Sequence, residues 1–274
     1  MALEWMQKLV DPLDREPLRP EGIDFLISSN GTRYPIIDGV PIFFQAEFED
    51  GSYNPNLTDE PLPPHIYYER YFDNLQLETL LDLGSGDAVM SARIAPYVKE
   101  LFCVNPGLQA LRIALKRKIG NLRPVCAIAP DIPFADGYFD AVMTIFVIEH
   151  IARNETSDFF ACIRRVLKPN GFLLISTDTL WYDRYIRKWW ETVNSIRRGK
   201  FEMSKHVSNS THVNLMTPGQ LRDILIREGF VIEREDLFPI LGRTFRKLPR
   251  RIAEDFATSM FVFKARMCRE NLLY

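Results

Sequence analysis

From residue 80 onward, short apolar runs alternate with segments of helical period. LLDL (80–83), ELFCV (100–104), RPVCAI (123–128), FDAVMTIFVI (139–148) and GFLLIST (171–177) read as strands. The 139–148 run is apolar throughout rather than at every second position, which predicts a strand buried on both faces, as in a parallel sheet covered by helices. Between the strands, LQALRIALKRKIG reads as a helix. NETSDFFACIRRVLKP gathers Phe159, Phe160, Ile163, Val166 and Leu167 on one stripe, with Asn154 as its cap. In TPGQLRDILIREGF, Thr217 is an N-cap, Pro218 takes the first helical position, Gln220 completes a capping box and Gly229 stops the helix. FVIEREDLF (230–238) and ATSMFVFKARM (257–267) are expected to close the sheet as an antiparallel pair. The expected fold class is α/β, with helices on both faces of the sheet.

Two further patterns lie outside this alternation. Near the N-terminus, RYPII and VPIFF flank Asp38-Gly39, a pair that signals a β-hairpin. After the fifth strand, WYDRYIRKWWETVNSIRRGK (181–200) reads as a helix with Trp181, Tyr182, Tyr185, Ile186, Trp189, Trp190 and Val193 on one face and Arg184, Arg187 and Lys188 on the other. An insertion of this length after a sheet strand suits a lid over a binding pocket, here at about 181–213. A helix packed on the core and a helix lying on a membrane surface are the alternatives.

Composition adds limits. The chain of 274 residues suits one large domain with an appendage. No run of about 18 apolar residues occurs and the first residues carry acids, so neither a membrane span nor an export signal is expected. The four cysteines lie apart from one another, without metal or disulfide spacing; a reducing, cytoplasmic setting and no metal are expected. Charge is uneven: residues 1–80 hold 5 Lys/Arg against 15 Asp/Glu, whereas the C-terminal part has basic tracts such as RTFRKLPRR (243–251).

The most informative stretch is LLDLGSGDAVMSARIA (80–95). Its glycines do not make a dinucleotide fingerprint, because the third glycine position falls on Val89. What remains is acid-x-G-x-G, with Asp82, Gly84, Ser85 and Gly86, and this resembles the first motif of the class I S-adenosylmethionine-dependent methyltransferases. Three more phrases are similar to that family in order and spacing: DIPFADGYFDAV (131–142), FVIEHI (146–151) and RRVLKPNGFLLIS (164–176). Together they cover about residues 65–265. The resemblance implies a Rossmann-like seven-stranded sheet, with S-adenosyl-L-methionine bound at the carboxyl ends of the strands by Asp82, Gly84, Ser85, Gly86, Asn105, Pro106, Asp131, Ile132, Phe146 and Glu149. Asp82 is expected to hold the loop amides and lie near the cationic end of the ligand.

Three positions depart from the family pattern. Ala88 stands where a third glycine is usual, a mild change because alanine favours the helix beginning there. Asn105 stands where an acid usually receives both ribose hydroxyls; an amide offers one acceptor and a donor pair. Ile128 stands where an acid usually meets the adenine amino group. These softened positions keep open a second class of function, a methyltransferase-fold protein that serves as a binding or regulatory module.

Residues 9–44 resemble a small zinc ribbon that activates, or is fused to, other methyltransferases, through L-V-x-P and N-G-x-x-Y-P-I-I-D-G-V-P-I-F-F. The four positions that would carry cysteines read Asp11, Asp14, Ile27 and Asn30, and Ile27 cannot ligate zinc. The expected organisation is a degenerate ribbon-like β module at 1–50, a linker at 51–64 and a methyltransferase domain at 65–274. A module this small without metal or disulfide is expected to dock on the main domain.

Methyl transfer needs positioning and, for a hydroxyl acceptor, removal of a proton. Of the four histidines His65, His150, His206 and His212, the resemblance puts His150 after the fourth strand and His212 before the Thr217 helix, both as catalytic candidates. In PHIYYERYF (64–72), Tyr68 and Tyr71 are candidate substrate residues, as are Tyr185 and Trp189 in the lid. The reading is a methyltransferase acting on a small or medium organic acceptor. An RNA substrate is the runner-up, favoured by the basic tract but lacking an N-P-P-Y-like phrase after the fourth strand. Peripheral membrane contact is a further alternative, and the oligomeric state is left open.

Overall fold

The computed structural model describes residues 4–44, 67–197, 199, 212–239 and 258–267. His65, His206, the 51–64 linker, part of the lid and the 243–251 tract lie outside them.

Strands β1 (Arg19–Glu21), β2 (Phe25–Ile27), β3 (Arg33–Ile37) and β4 (Val40–Pro41) form an antiparallel sheet in sequence order. Asp38 and Gly39 both have positive φ, 53° and 79°, as the two-residue hairpin turn between Ile37 and Val40 requires. The main sheet has seven strands: β5 (Leu77–Leu83), β6 (Val98–Asn105), β7 (Leu122–Cys126), β8 (Phe139–Ile145), β9 (Leu167–Asp178), β10 (Phe230–Pro239) and β11 (Thr258–Met267). Their hydrogen-bonded order is β10-β11-β9-β8-β5-β6-β7. β5 pairs in parallel with β6 and β8, and β6 with β7, whereas β10 and β11 are antiparallel, from Phe230 opposite Met267 to Pro239 opposite Thr258. The helices are α1 (Val89–Ile94), α2 (Leu108–Lys116), α3 (Thr156–Val166), α4 (Arg187–Arg197) and α5 (Pro218–Arg227). α5 begins with the expected capping box: Gln220 N donates to Thr217 Oγ1, and Thr217 N donates to Gln220 Oε1.

The chain forms two compact units. One comprises residues 1–144 and 158–173, the other residues 145–157 and 174–274. In the first unit the N-terminal segment packs against the β7 side of the sheet. Val10 N donates to Pro133 O, Phe43 N donates to Cys126 O, and Ile42 bridges Cys126 in parallel. The Trp5 ring meets the edge of Phe102, which with Phe134, Tyr138 and Phe139 makes an aromatic core. The small sheet thus buries apolar surface against a larger partner, which supplies the core it lacks.

Three of the four positions compared with ribbon cysteines, Asp11, Asp14 and Asn30, are linked by hydrogen bonds, whereas Ile27 lies in β2. The buried Asp11 carboxylate accepts from Leu13 N at 2.8 Å and from Tyr34 Oη at 3.0 Å, and Asn30 Nδ2 donates to Asp14 Oδ2 at 3.3 Å. Burial, then the hydrogen bond to Asp11, pushes the Tyr34 phenol up.

Candidate active site

In the first unit, β5 delivers the chain to the glycine loop and α1 carries it away. Gly84 and Gly86 have φ of 85° and 54°, a region that glycine enters without steric cost. The loop amides are held by the end of β6: Gly84 N and Ser85 N both donate to Val104 O, at 2.8 and 3.0 Å, and Gly86 N donates to Asn105 Oδ1 at 3.3 Å. Asp82 does not hold these amides, contrary to the expectation. Its buried carboxylate accepts instead from Ser91 Oγ, and the Cys103 thiol donates to Ser91 Oγ at 3.1 Å. The cause is direction: Asp82 and Cys103 are paired neighbours on β5 and β6, and α1 lays Ser91 over both. Burial pushes the Asp82 carboxyl up to about 7, and the Ser91 hydrogen bond opposes only part of that shift.

Ala88 also departs from expectation. It is fully buried with φ 63°, so the position calls for glycine by backbone conformation, not merely for a helix former. Asn105 has partners at both ends of its amide, since Nδ2 donates to Gly107 O at 3.3 Å. Its oxygen retains a second lone pair. Asp131 is exposed and Ile132 buried, while Ile128 is 37% exposed beyond the end of β7, and Pro106 is half-buried. Tyr68 and Tyr71 are both buried in a 3-10 turn, whereas Tyr67 is exposed.

Two arginines that sequence reasoning missed brace this half. Arg117 donates to the Asp87 carbonyl and carboxylate, at 2.7 and 2.8 Å, and so clamps the glycine loop. Arg165 donates to the carbonyls of Phe134 and Ile132 and to Asp136, and so fixes the 131–136 segment. The only sequence signal for either was an arginine at the end of a helix.

In the second unit, the chain leaves β8 through Phe146, at φ 57°, whose N–H donates to Ser176 O at 2.9 Å. A 3-10 turn, Ile148–His150, follows. Glu149 is buried and accepts from Thr177 Oγ1 at 2.9 Å. Its carbonyl accepts from Asn214 N at 3.0 Å, and Asn214 Nδ2 donates to Thr156 Oγ1 at 3.1 Å. This tie brings His212 to His150, with ring centroids 4.9 Å apart at 72°. His150 is exposed and His212 half-buried. The two catalytic candidates, distant in sequence, are therefore neighbours, and Glu149 joins them.

The predicted helix after β9 is present as a π-helical turn, Tyr182–Ile186, continued by α4. Trp189 is 62% exposed on it; the Tyr185 side chain falls outside the described ones. No described helix is long and apolar enough to cross a membrane.

A glycine turn between β5 and α1, a parallel sheet and an antiparallel terminal hairpin define a methyltransferase-type α/β fold. Residues 81–175 match the family described as "Methyltransferase domain". Demethylmenaquinone methyltransferase of Thermotoga maritima is 31% identical over 175 residues, 59% of this chain and 73% of that protein. A ubiquinone/menaquinone biosynthesis C-methyltransferase of Erwinia tasmaniensis is 34% identical over 106 residues, 36% of this chain and 41% of that protein, so the match spans about two-fifths of this relative's length. The solved structure of Burkholderia thailandensis 1,6-didemethyltoxoflavin-N1-methyltransferase shares the fold, with a TM-score of 0.50 at 15% identity over 73% of this chain and 74% of that one. The chain belongs to the class I S-adenosylmethionine-dependent methyltransferases.

Proposed function

We propose that this chain transfers a methyl group from S-adenosylmethionine to a small or medium organic acceptor, with the glycine loop serving the donor and His150 and His212 serving the acceptor. The observation that carries the acceptor half is the juxtaposition of the two imidazoles with the buried Glu149. The donor half rests on the fit of the loop. Gly84 and Gly86 leave the backbone open to close approach, and the buried Ser85 Oγ has no hydrogen bond of normal geometry, the Cys103 thiol being its polar neighbour. A ligand carboxylate would satisfy that hydroxyl. When bound, the cofactor supplies a methyl group activated by a sulfonium.

Ser85, Gly86 and Asn105 would orient the donor, and a histidine would take the acceptor's proton. An imidazole nitrogen can accept such a proton, and positioned general bases contribute about 10²–10⁴-fold. Trp189 would offer an apolar wall to the acceptor. Because two relatives are named for quinones, one of them as a C-methyltransferase, quinone-type rings and their hydroxylated reduced forms are the first acceptors to assay, at carbon as well as at oxygen.

The second reading, a binding or regulatory module, is favoured by two observations: Ala88 holds a left-handed backbone, and the Asn105 amide has a partner at each end, and both burden the donor site. Incubation of the full chain with methyl-labelled donor and a panel of hydroxylated ring acceptors separates the two. Methyl transfer predicts labelled product. Stabilisation by S-adenosylhomocysteine without transfer to any acceptor would favour the module.

A further inference from the structure

Glu149, His150 and His212 make the one group of three or more metal-competent side chains that the fold gathers among the described residues. One ligand atom from each lies within 4.8 Å of the other two. We propose that they form a binding site for a single divalent transition-metal ion, zinc being the ion these donors suit, with a coordination position open to an acceptor oxygen.

The donor chemistry comes first. Two imidazoles and one carboxylate are hard-to-borderline ligands that select first-row divalent ions, and in zinc sites that bind substrate such a set leaves the fourth position to water or ligand. Distance comes second. Zinc bonds nitrogen and carboxylate oxygen at roughly 2.0–2.2 Å, so donors around one tetrahedral ion sit about 3.3–3.6 Å apart. The observed spread closes by side-chain rotation of about 1–2 Å, and His150, exposed on its turn, is the member placed to make it.

Preorganisation is the third argument. The two segments that carry the ligands are tied through backbone and side chain: Asn214 N to Glu149 O, Asn214 Nδ2 to Thr156 Oγ1, and a parallel bridge between Thr179 and Met216 just beyond His212. Thr177 Oγ1 donates to the Glu149 carboxylate, as groups behind a metal-bound carboxylate commonly do. A buried carboxylate beside two imidazoles is also compensated well by a doubly charged ion.

The other candidate clusters are weaker. Among the described residues, Asp11 and Asp14 have no third His, Cys, Asp or Glu gathered with them, and they are engaged in the hydrogen bonds that hold the N-terminal sheet. Asp82, Ser91 and Cys103 form a buried chain that satisfies itself.

The role of the ion toward the acceptor rests on the methyl-transfer reading and replaces the histidine as the means of activation: with both imidazoles on zinc, the bound acceptor oxygen holds its proton less tightly and gives it up to water near neutral pH. The site itself does not depend on that reading. The test uses the full chain, stripped with chelator and titrated with zinc chloride, with uptake read by elemental analysis and calorimetry and the ligand field read after cobalt(II) loading.

About one zinc per chain is expected, with the visible absorption of a low-symmetry cobalt site. His150→Ala and His212→Ala should each weaken zinc binding by more than about 100-fold, and Thr177→Val by roughly 10–100-fold, with unchanged circular dichroism. His150 is exposed, so its variant keeps the test alive if Glu149→Gln does not fold. Zinc uptake equal in the parent and in the His150→Ala/His212→Ala double variant would overturn the proposal. So would zinc lost with Asp11→Asn and Asp14→Asn but kept in the histidine variants. A stripped protein that binds no zinc and still methylates overturns the metal site and leaves the methyltransferase; one that binds zinc and never methylates does the reverse.

Discussion

The glycine loop and the histidine pair are built by opposite means. The loop is local: a dozen consecutive residues turn from β5 into α1, and neighbouring backbone on β6 takes the Gly84 and Ser85 amides. The pair is non-local. His150 and His212 arrive from separate segments and meet because the Asn214 amide caps the Glu149 carbonyl. A local motif can be read from spacing alone, whereas a non-local cluster is specified by ties whose partners no spacing reveals.

The sharpest way to break that contrast is at the histidines. His150→Ala or His212→Ala should lower methyl transfer by about 10²–10⁴-fold while the dissociation constant of S-adenosylhomocysteine stays within about twofold. An equal loss of both would make the pair part of the donor site.

Next in size is the charge inside the first unit. The Asp82 carboxyl is raised from 3.8 to about 7 by burial, so the folded state holds its proton more tightly than the unfolded chain. Its contribution is therefore complete below about pH 4 and is lost as pH rises through 7. In urea denaturation, the stability of the parent relative to Asp82→Asn should fall by up to about 4 kcal/mol between about pH 4 and pH 8. A difference constant with pH would show that Asp82 is not buried as described.

The N-terminal sheet offers a third test. Asp11→Ala leaves the buried Tyr34 hydroxyl and the Leu13 amide without their acceptor and should cost about 2–3 kcal/mol. Tyr34→Phe removes only one donor and should cost about 1 kcal/mol. Equal costs would place the weight of the network on the phenol.

The smallest expected effect is the most specific. Ala110→Gly, in the buried face of α2, should cost about 1.5 kcal/mol from lost helix propensity and a lost methyl group. Ala88→Gly loses the same methyl but relieves the left-handed strain of roughly 1–2 kcal/mol, so its stability should change by less than about 0.5 kcal/mol. Thermal melts of the two variants make the comparison.

Much of the fold was legible in sequence. Continuous apolar runs marked the buried parallel strands, Asp38-Gly39 marked the hairpin, and Thr217 with Gln220 marked the start of α5. The glycine loop was legible as a motif but not in its wiring. The pairing of Asp82 with Ser91 depends on α1 crossing over β5, and the left-handed Ala88 depends on the turn geometry, neither of which alanine or aspartate announces. The Arg117 clamp on Asp87 was invisible for the same reason: its two ends come together only after α2 has packed. His150 and His212 were each legible from the family's layout, yet their meeting with Glu149 required the fold.

The most direct test of the account is calorimetric titration of S-adenosylhomocysteine into the full chain, the His150→Ala/His212→Ala variant and Gly86→Val. At φ 54° a β-branched residue is strained. The account predicts binding in the parent, equal binding in the histidine variant, and a loss of more than about 100-fold in Gly86→Val with its fold intact. Equal affinity in all three, or no binding by the parent, would contradict it.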